Sequence, residues 1–424
     1  MSSLRLNLIC RHLGQNTTDQ FSKSNLKTPY VQDPIDFLHL DELLPADLNN
    51  KRKQLRAALE ANIAPHVSEW YDKAQFPAGL AEKLRPLNIF GITEEKYGCR
   101  KVCPLEKSLA IYELARIDAS LATFYALTLS LVAFTIEKLG SEEQKAKYLP
   151  KLCNLDIIAS WGLTEPDYGS DASSLETTAT PVKGGYILNG VKRWLGNAII
   201  SDIMIIFARN TVTQNIEGFI MDSKAKGVSV TNINRKLALR IVQNGNVFMK
   251  DVFIPENERL EKGHTFATGA NVVLEHSRMN LSWMVAGLIA GTYEHAVKYI
   301  RERTQFRAPL AAFQLNQEKL VRILAIYQAV FLMSWRTTML LVKGQGNVAQ
   351  ASLVKGWCSY MGREATRLGR EVMGGNGIII DNYAMKALVD MEVVYTYEGT
   401  YDVNALVAGR AATGVAAFKA GYKA

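Results

Sequence analysis

Along the first third of the chain, apolar residues recur every three or four positions, as in LRAALEANI and SLAIYELARIDASLATFYALTLSLVAFTIEKLG, which predicts helices from about Asp41 to Asp156. GSEEQKAKYLPKL then reads as a loop, a short charged helix and a stop. Between about Ile157 and Glu256 the period changes. GGYILNGVKRWLG, SDIMIIFARN, IEGFIMDS, GVSVTNINR and NVFMKDVFIP are short β-rich runs, with Lys183-Gly184-Gly185 and Asn189-Gly190 supplying turns, and they predict a compact antiparallel domain. After about His264 the helical period returns over roughly 278 to 303, 313 to 343, 348 to 373 and 383 to 418. Four long antiparallel helices predict a bundle.

Composition adds bounds. The 424 residues, 48% hydrophobic and 21% charged, suffice for two or three cored domains. Lys plus Arg minus Asp plus Glu is 49 − 41 = +8, an excess that favours anionic partners without choosing among nucleic acid, acidic membrane and a phosphorylated small molecule. Five scattered cysteines (Cys10, Cys99, Cys103, Cys153, Cys358), clustered only in CRKVC with no histidine close by, predict a reducing compartment and no zinc site. No run of eighteen apolar residues appears, so no membrane span is expected. The first eighteen residues, MSSLRLNLICRHLGQNTT, carry Arg5 and Arg11, hydroxyl side chains and spaced leucines but no acid. That pattern fits a mitochondrial presequence, or a polar leader with no address. The C-terminal AGYKA lacks an SKL-type peroxisomal signal.

No G-x-G-x-x-G after a strand, Walker A, H-E-x-x-H or G-x-S-x-G occurs, which removes the main support for Rossmann, P-loop, zincin and α/β-hydrolase chemistry. Polar, Gly-bearing insertions mark the seams between zones: LTEPDYGSD, KRWLGN, RERTQFRAPLAAFQ, EVMGGNG and YEGT. Each has two readings. TEPDYGSD is an anion-binding loop or a turn capped by Asp and Ser. Trp194 beside Gly196 stacks on a flat ring or belongs to the core. Arg303 near Gln305 grips a pyrophosphate or is solvated. Gly374-Gly375 approaches a ligand or ends a helix.

Taken in order and spacing, these seams resemble the acyl-CoA dehydrogenase family over roughly residues 45 to 420, with most likeness to plant peroxisomal short-chain acyl-CoA oxidases and to glutaryl-CoA dehydrogenase in KRWLGN, APLAAFQLNQEKLV, YTYEGTYDVN and GVAAF. The resemblance implies an acyl-CoA dehydrogenase-like fold: a leader (1–40), an all-α N-terminal domain (41–156), a middle antiparallel β-barrel (157–263) and a C-terminal four-helix bundle (264–424), assembled as a homotetramer. It implies FAD as cofactor, an acyl-CoA substrate and no metal. Glu398 of YEGT is then the base that removes the α-proton while the β-hydrogen leaves as hydride. Trp161, Leu163, Thr164, Gly169 and Ser170 would line the isoalloxazine, with Ser170 also near the CoA arm, and Trp194 and Gly196 would lie on its other side. Arg303, Gln305, Phe306 and Gln314, with Glu371, Gly374 and Gly375, would hold pyrophosphate and adenine partly across a subunit boundary. Thr400 and Asp402 would follow the base onto the cofactor. Glu275 and Arg278 would lie near CoA, Gly399 and Phe418 on the substrate side.

Departures from the family pattern refine the expectation. Gly196 stands where many dehydrogenases carry threonine, Arg307 replaces a glycine, and Glu371 replaces a frequent glutamine. Where glutaryl-CoA dehydrogenase carries an arginine for the distal carboxylate, this chain has Ala122, followed by Thr123. The expected activity is therefore dehydrogenation of a short or branched monocarboxylyl-CoA to the trans-2-enoyl-CoA, with electrons passing to an electron-transfer flavoprotein in the mitochondrial matrix. An oxidase using O2, with a peroxisomal location, is the alternative. A nucleic-acid-associated or assembly-factor member of the fold is the alternative of another class.

Overall fold

The computed structural model describes residues 35–417; the presequence-like segment and Phe418 lie outside them. The N-terminal zone folds as α1 (Ala46–Asn62), α2 (Val67–Lys73), α3 (Leu80–Leu84), α4 (Pro104–Ile117), α5 (Ala119–Ala126), α6 (Phe134–Leu139) and α7 (Glu142–Cys153). Caps set its boundaries. Asp118 starts α5 by accepting from the N–H groups of Ser120 (2.7 Å) and Leu121 (3.1 Å), and Ser141 with Gln144 forms the capping box that opens α7, as GSEEQ predicts. Between α5 and α6, Leu127–Ala133 is wound as a π-helix, a form often found beside functional sites. Nearly all of α4 is buried. Its Glu113 carboxylate, with no exposure, receives Arg52 (3.0 Å), Arg56 (3.2 Å) and Arg116 (3.0 Å).

The middle zone is a seven-stranded curled sheet, β1 (Ala159–Gly162) to β7 (Gly245–Pro255), in which β4 (Ile203–Asn210) also pairs with β5 (Ile216–Asp222) and β6 (Val228–Asn232) lies at the edge, in the order β1-β4-β2-β3-β7-β6. It is mixed where a wholly antiparallel barrel was expected: β1 and β2 (Thr178–Val182) both run parallel to β4. The Lys183–Gly185 turn does join β2 to β3 (Gly185–Leu195). Asn189-Gly190, in contrast, is a register shift inside β3, where Gly190 (φ 149°) presses so close to Thr177 that a Cβ would sit 2.5 Å from its Oγ1.

The C-terminal zone comprises α8 (Ala270–Glu302), the Thr304–Pro309 hairpin, α9 (Gln314–Val342), α10 (Val348–Val372), α11 (Tyr383–Thr396) and α12 (Tyr401–Thr413). Two differences from the sequence pattern matter. The first helix begins eight residues before position 278, and the segment 383–418 is not continuous, because Tyr397–Thr400 interrupts it. Ala119–Leu139 and Gln314–Val342 are apolar enough to cross a membrane by length and composition, which a search for unbroken apolar runs misses; 83% and 56% of their apolar windows are buried in the fold. At the junction of the three zones, Lys386 of α11 pairs with Asp118 (2.7 Å) and Asp390 (3.4 Å), all three buried, while Asp390 accepts the N–H of Leu239 at 2.7 Å.

Candidate active site

The break between α11 and α12 forms because Glu398 (φ 56°) and Gly399 (φ 86°) turn left-handed. A left-handed glutamate is an unusual conformation that its surroundings must hold. The Glu398 carbonyl accepts from Arg278 Nε (3.3 Å); that of Gly399 accepts from Lys355 Nζ (2.6 Å) and Asn404 Nδ2 (2.8 Å); that of Thr400 accepts from Asn404 Nδ2 (3.0 Å). Thr400 caps α12 through its hydroxyl. Among the described residues, the Glu398 N–H has no acceptor.

This turn aims the Glu398 carboxyl at α8, where Ser277 Oγ donates to Oε2 at 2.5 Å. The carboxyl is buried, while Glu398 as a whole remains partly exposed. Burial raises its pKa above the ordinary 4.5, outweighing the Ser277 hydrogen bond and the nearby Arg278 and Lys355 cations, which lower it. Tyr397 closes one side: its hydroxyl lies 3.4 Å from Thr123 Oγ1 and 3.1 Å from Met284 Sδ, joining α5 and α8 to the turn. Further along the same two helical stretches Asn280 Nδ2 donates to Ser130 Oγ at 3.0 Å.

Of the expected isoalloxazine residues, Trp161 and Gly196 lie against the helical stretch that carries the π-helical segment. Trp161 Nε1 donates to Thr135 Oγ1 (3.1 Å), and Gly196 packs so close to Leu127 and Val242 that a Cβ there would stand 3.1 Å from Leu127 Cδ2. The TEPDYGSD loop is positioned by the buried pair Glu165–Lys192 (2.8 Å); Lys192 also donates to the Leu163 carbonyl and Arg193 N–H to that of Thr164. Gly169 and Ser170 sit exposed on its rim. Trp194 is half exposed at φ 67°, its ring 5.0 Å from the Arg193 guanidinium, rather than in the core.

A third cluster lies at the other end of α8. Arg303, Gln305, Glu371, Gly374 and Gly375 line a cleft of about 490 Å³ with Tyr299 and Asn376. Phe306 and Gln314 do not line it: Phe306 projects from the hairpin tip, 75% exposed, and Gln314 starts α9 outside. Glu371 is engaged by Arg367 and Lys319. Asp402 is exposed on α12 and Glu275 accepts from Asn271. CRKVC is not a ligand set: Cys99 is buried and Cys103 caps α4 through its sulfur, and no group of three metal-ligating side chains occurs among the described residues.

Sequence reasoning passed over Ser277, Lys355, Asn404 and the Glu165–Lys192 pair. Lys355 was detectable: on a helix it shares its face with the small or apolar Ala351, Ser352, Cys358, Ser359 and Gly362, all buried with it.

Sequence comparison matches the acyl-CoA dehydrogenase N-terminal domain over residues 46–156, the middle domain over 160–252 and the C-terminal domain over 263–413. An acyl-CoA dehydrogenase of Bacillus subtilis (strain 168) is 31% identical over 360 residues, covering 84% of this chain and 95% of its own. The mitochondrial short/branched chain specific acyl-CoA dehydrogenase of Rattus norvegicus is 28% identical over 83% of this chain and 82% of its own. Among solved structures, glutaryl-CoA dehydrogenase from Mycobacterium smegmatis superposes with a TM-score of 0.87 at 30% identity, over 91% of this chain and 99% of that one. With three domain matches in order along a chain that buries the Glu398 carboxyl at a helix break, the chain belongs to the acyl-CoA dehydrogenase family of FAD-binding oxidoreductases.

Proposed function

We propose that this chain dehydrogenates a short or branched, uncharged acyl-CoA at the α,β position, with Glu398 as the base. The supporting observation is the buried Glu398 carboxyl on its left-handed turn, its pKa raised by burial. A glutamate of ordinary basicity is a poor partner for a weakly acidic α-proton; desolvation strengthens it. The unpaired Glu398 N–H is a donor for the thioester oxygen as negative charge develops there. When bound, FAD supplies the hydride acceptor for the β-hydrogen. Trp161, Leu163, Thr164, Trp194 and Gly196 are the residues that would hold its ring, and an added Cβ at Gly196 would press on Leu127.

The third cluster supports an assembly of several chains. Arg303 lies 25 positions beyond Arg278 and α8 is continuous helix through Glu302, roughly 37 Å of chain at 1.5 Å per residue. A dinucleotide that uses Arg303, Gln305, Glu371, Gly374 and Gly375 and also reaches Glu398 takes them from two copies, as in a homotetramer.

Ala122 is fully buried and offers no cation to a distal carboxylate, and the Arg278 and Lys355 cations beside Glu398 are hydrogen-bonded to the backbone carbonyls of the turn. Butyryl-CoA or a branched relative is therefore expected to bleach the flavin at least about tenfold faster than glutaryl-CoA, since a buried unpaired carboxylate costs more than the roughly 1.4 kcal/mol that tenfold represents. Anaerobic titration of the yellow protein measures this, and faster bleaching by glutaryl-CoA would overturn the assignment. Admitting air afterwards separates acceptors: slow reoxidation that electron-transfer flavoprotein accelerates supports the dehydrogenase, and immediate reoxidation by O2 supports the oxidase.

A further inference from the structure

Lys355 is fully buried, yet among the described residues it touches neither the Glu398 carboxylate nor any other acid by a hydrogen bond. Its ammonium is spent on two backbone carbonyls, Tyr395 at 3.1 Å and Gly399 at 2.6 Å. The first belongs to the last turn of α11, where carbonyls lack intrahelical donors; the second follows the left-handed Glu398–Gly399 pair. A single cation thus ties together the two ends of the break that carries the carboxylate. We propose that Lys355 is a positioning residue for the proton-abstraction step: by bridging the carbonyls of Tyr395 and Gly399 it holds Glu398 in its left-handed turn and places a positive charge behind the base.

Two considerations favour this over a merely structural role. An apolar side chain of the same length would fill the space on α10 without the cost of burying an ammonium, so a buried lysine here has a polar task. The charge also couples to the base: Lys355 and Arg278 are the cations acting on Glu398, and Glu398 with Arg278 are the charges acting on Lys355. Around them, Glu275 acts on Arg278, and Asp390 with Glu398 acts on the Tyr397 phenol. Burial presses the Lys355 pKa down to about 7, and the Glu398 carboxylate opposes this by favouring the ammonium. Each group therefore favours the charged form of the other.

The inference rests on the proposed role of Glu398, and the test separates the two. Lys355→Met in the full-length flavoprotein is expected to raise amide exchange across residues 394–404 by about tenfold or more, because a charge-assisted pair of hydrogen bonds is lost. The limiting rate of flavin reduction by butyryl-CoA is expected to fall roughly 10- to 100-fold, the scale of an ångström-level misplacement of a reacting group. The acid limb of that rate is expected to move to higher pH, since a cation that lowered the Glu398 pKa is gone, while crotonyl-CoA binding stays within about threefold. Unchanged exchange overturns the proposal, and so does faster exchange with an unmoved acid limb, which would mark Lys355 as structural only. If the Met variant does not fold, Lys355→Arg decides: it keeps the charge, so the acid limb is expected where the parent has it, and a shifted limb overturns the proposal. A parent flavin that no acyl-CoA bleaches would sink the assigned reaction and the positioning role with it, whereas the exchange measurement needs no substrate and reads the clamp by itself.

Discussion

Glu398→Gln is expected to bind FAD and acyl-CoA like the parent while flavin reduction in a stopped-flow experiment falls by about 10² to 10⁴, the usual contribution of a general base. The substituted amide would keep the shape of the side chain and its contact with Ser277 Oγ, and the turn is held by carbonyl contacts from Arg278, Lys355 and Asn404 that the change does not touch. What it loses is the ability to take a proton. In the parent the reduction rate should show an acid limb, because only the carboxylate accepts the proton; burial has raised its pKa, so the rate falls as pH drops through a midpoint above 4.5. A variant rate within about threefold of the parent would show that this carboxylate is not the base.

The second large effect is on stability. Glu113→Ala removes the one acid that three guanidiniums share, leaving Arg52, Arg56 and Arg116 facing one another in the seam between α1 and α4. Arg52 retains Asp41 (2.7 Å) and Arg116 retains Glu294 (2.6 Å), so the cluster is weakened rather than emptied. Breaking one partner out of a buried ion pair costs about 3–5 kcal/mol, and denaturant unfolding of the variant should register a loss of that size. A change below about 1 kcal/mol would mean that the arginines relax to water at little cost.

The helices–sheet–helices order was legible because the period of apolar residues changes from helical to strand-like and back within a few residues of each seam. GSEEQ announced its helix because a capping box is a local code. Strand direction was not legible: β1 and β2 lie parallel to β4 through pairings far apart in the chain, and nothing in SDIMIIFARN distinguishes a parallel from an antiparallel neighbour. Asn189-Gly190 misled because a glycine suited to a turn is equally suited to a bulge where another backbone approaches. Part of the motif set gathered, while Phe306, Gln314 and Asp402 stayed outside, and the partners that hold the Glu398 turn, Ser277, Lys355 and Asn404, carry no motif, since their task is set by neighbours in space; Ser277 meets Glu398 across 121 positions and Lys355 meets Tyr395 across 40. The division of the last helix at Tyr397–Thr400 also escaped the periodicity, which continues through YEGT as though the helix did.

The lysine that joins Asp118 to Asp390 bears on timing. Asp118 starts a helix of the first zone, Asp390 captures the backbone of the second at Leu239, and both charges meet on the third. The Leu237–Val242 loop is tied as well, Tyr71 donating to the Leu237 carbonyl and Lys236 to those of Leu239 and Val242. A hinge between lobes would have to open a desolvated charge cluster, so it is a rare event. Lobe opening of that kind is not expected to pace ligand entry; the exposed Ser170 and Trp194 can change rotamer on far shorter scales than whole lobes swing.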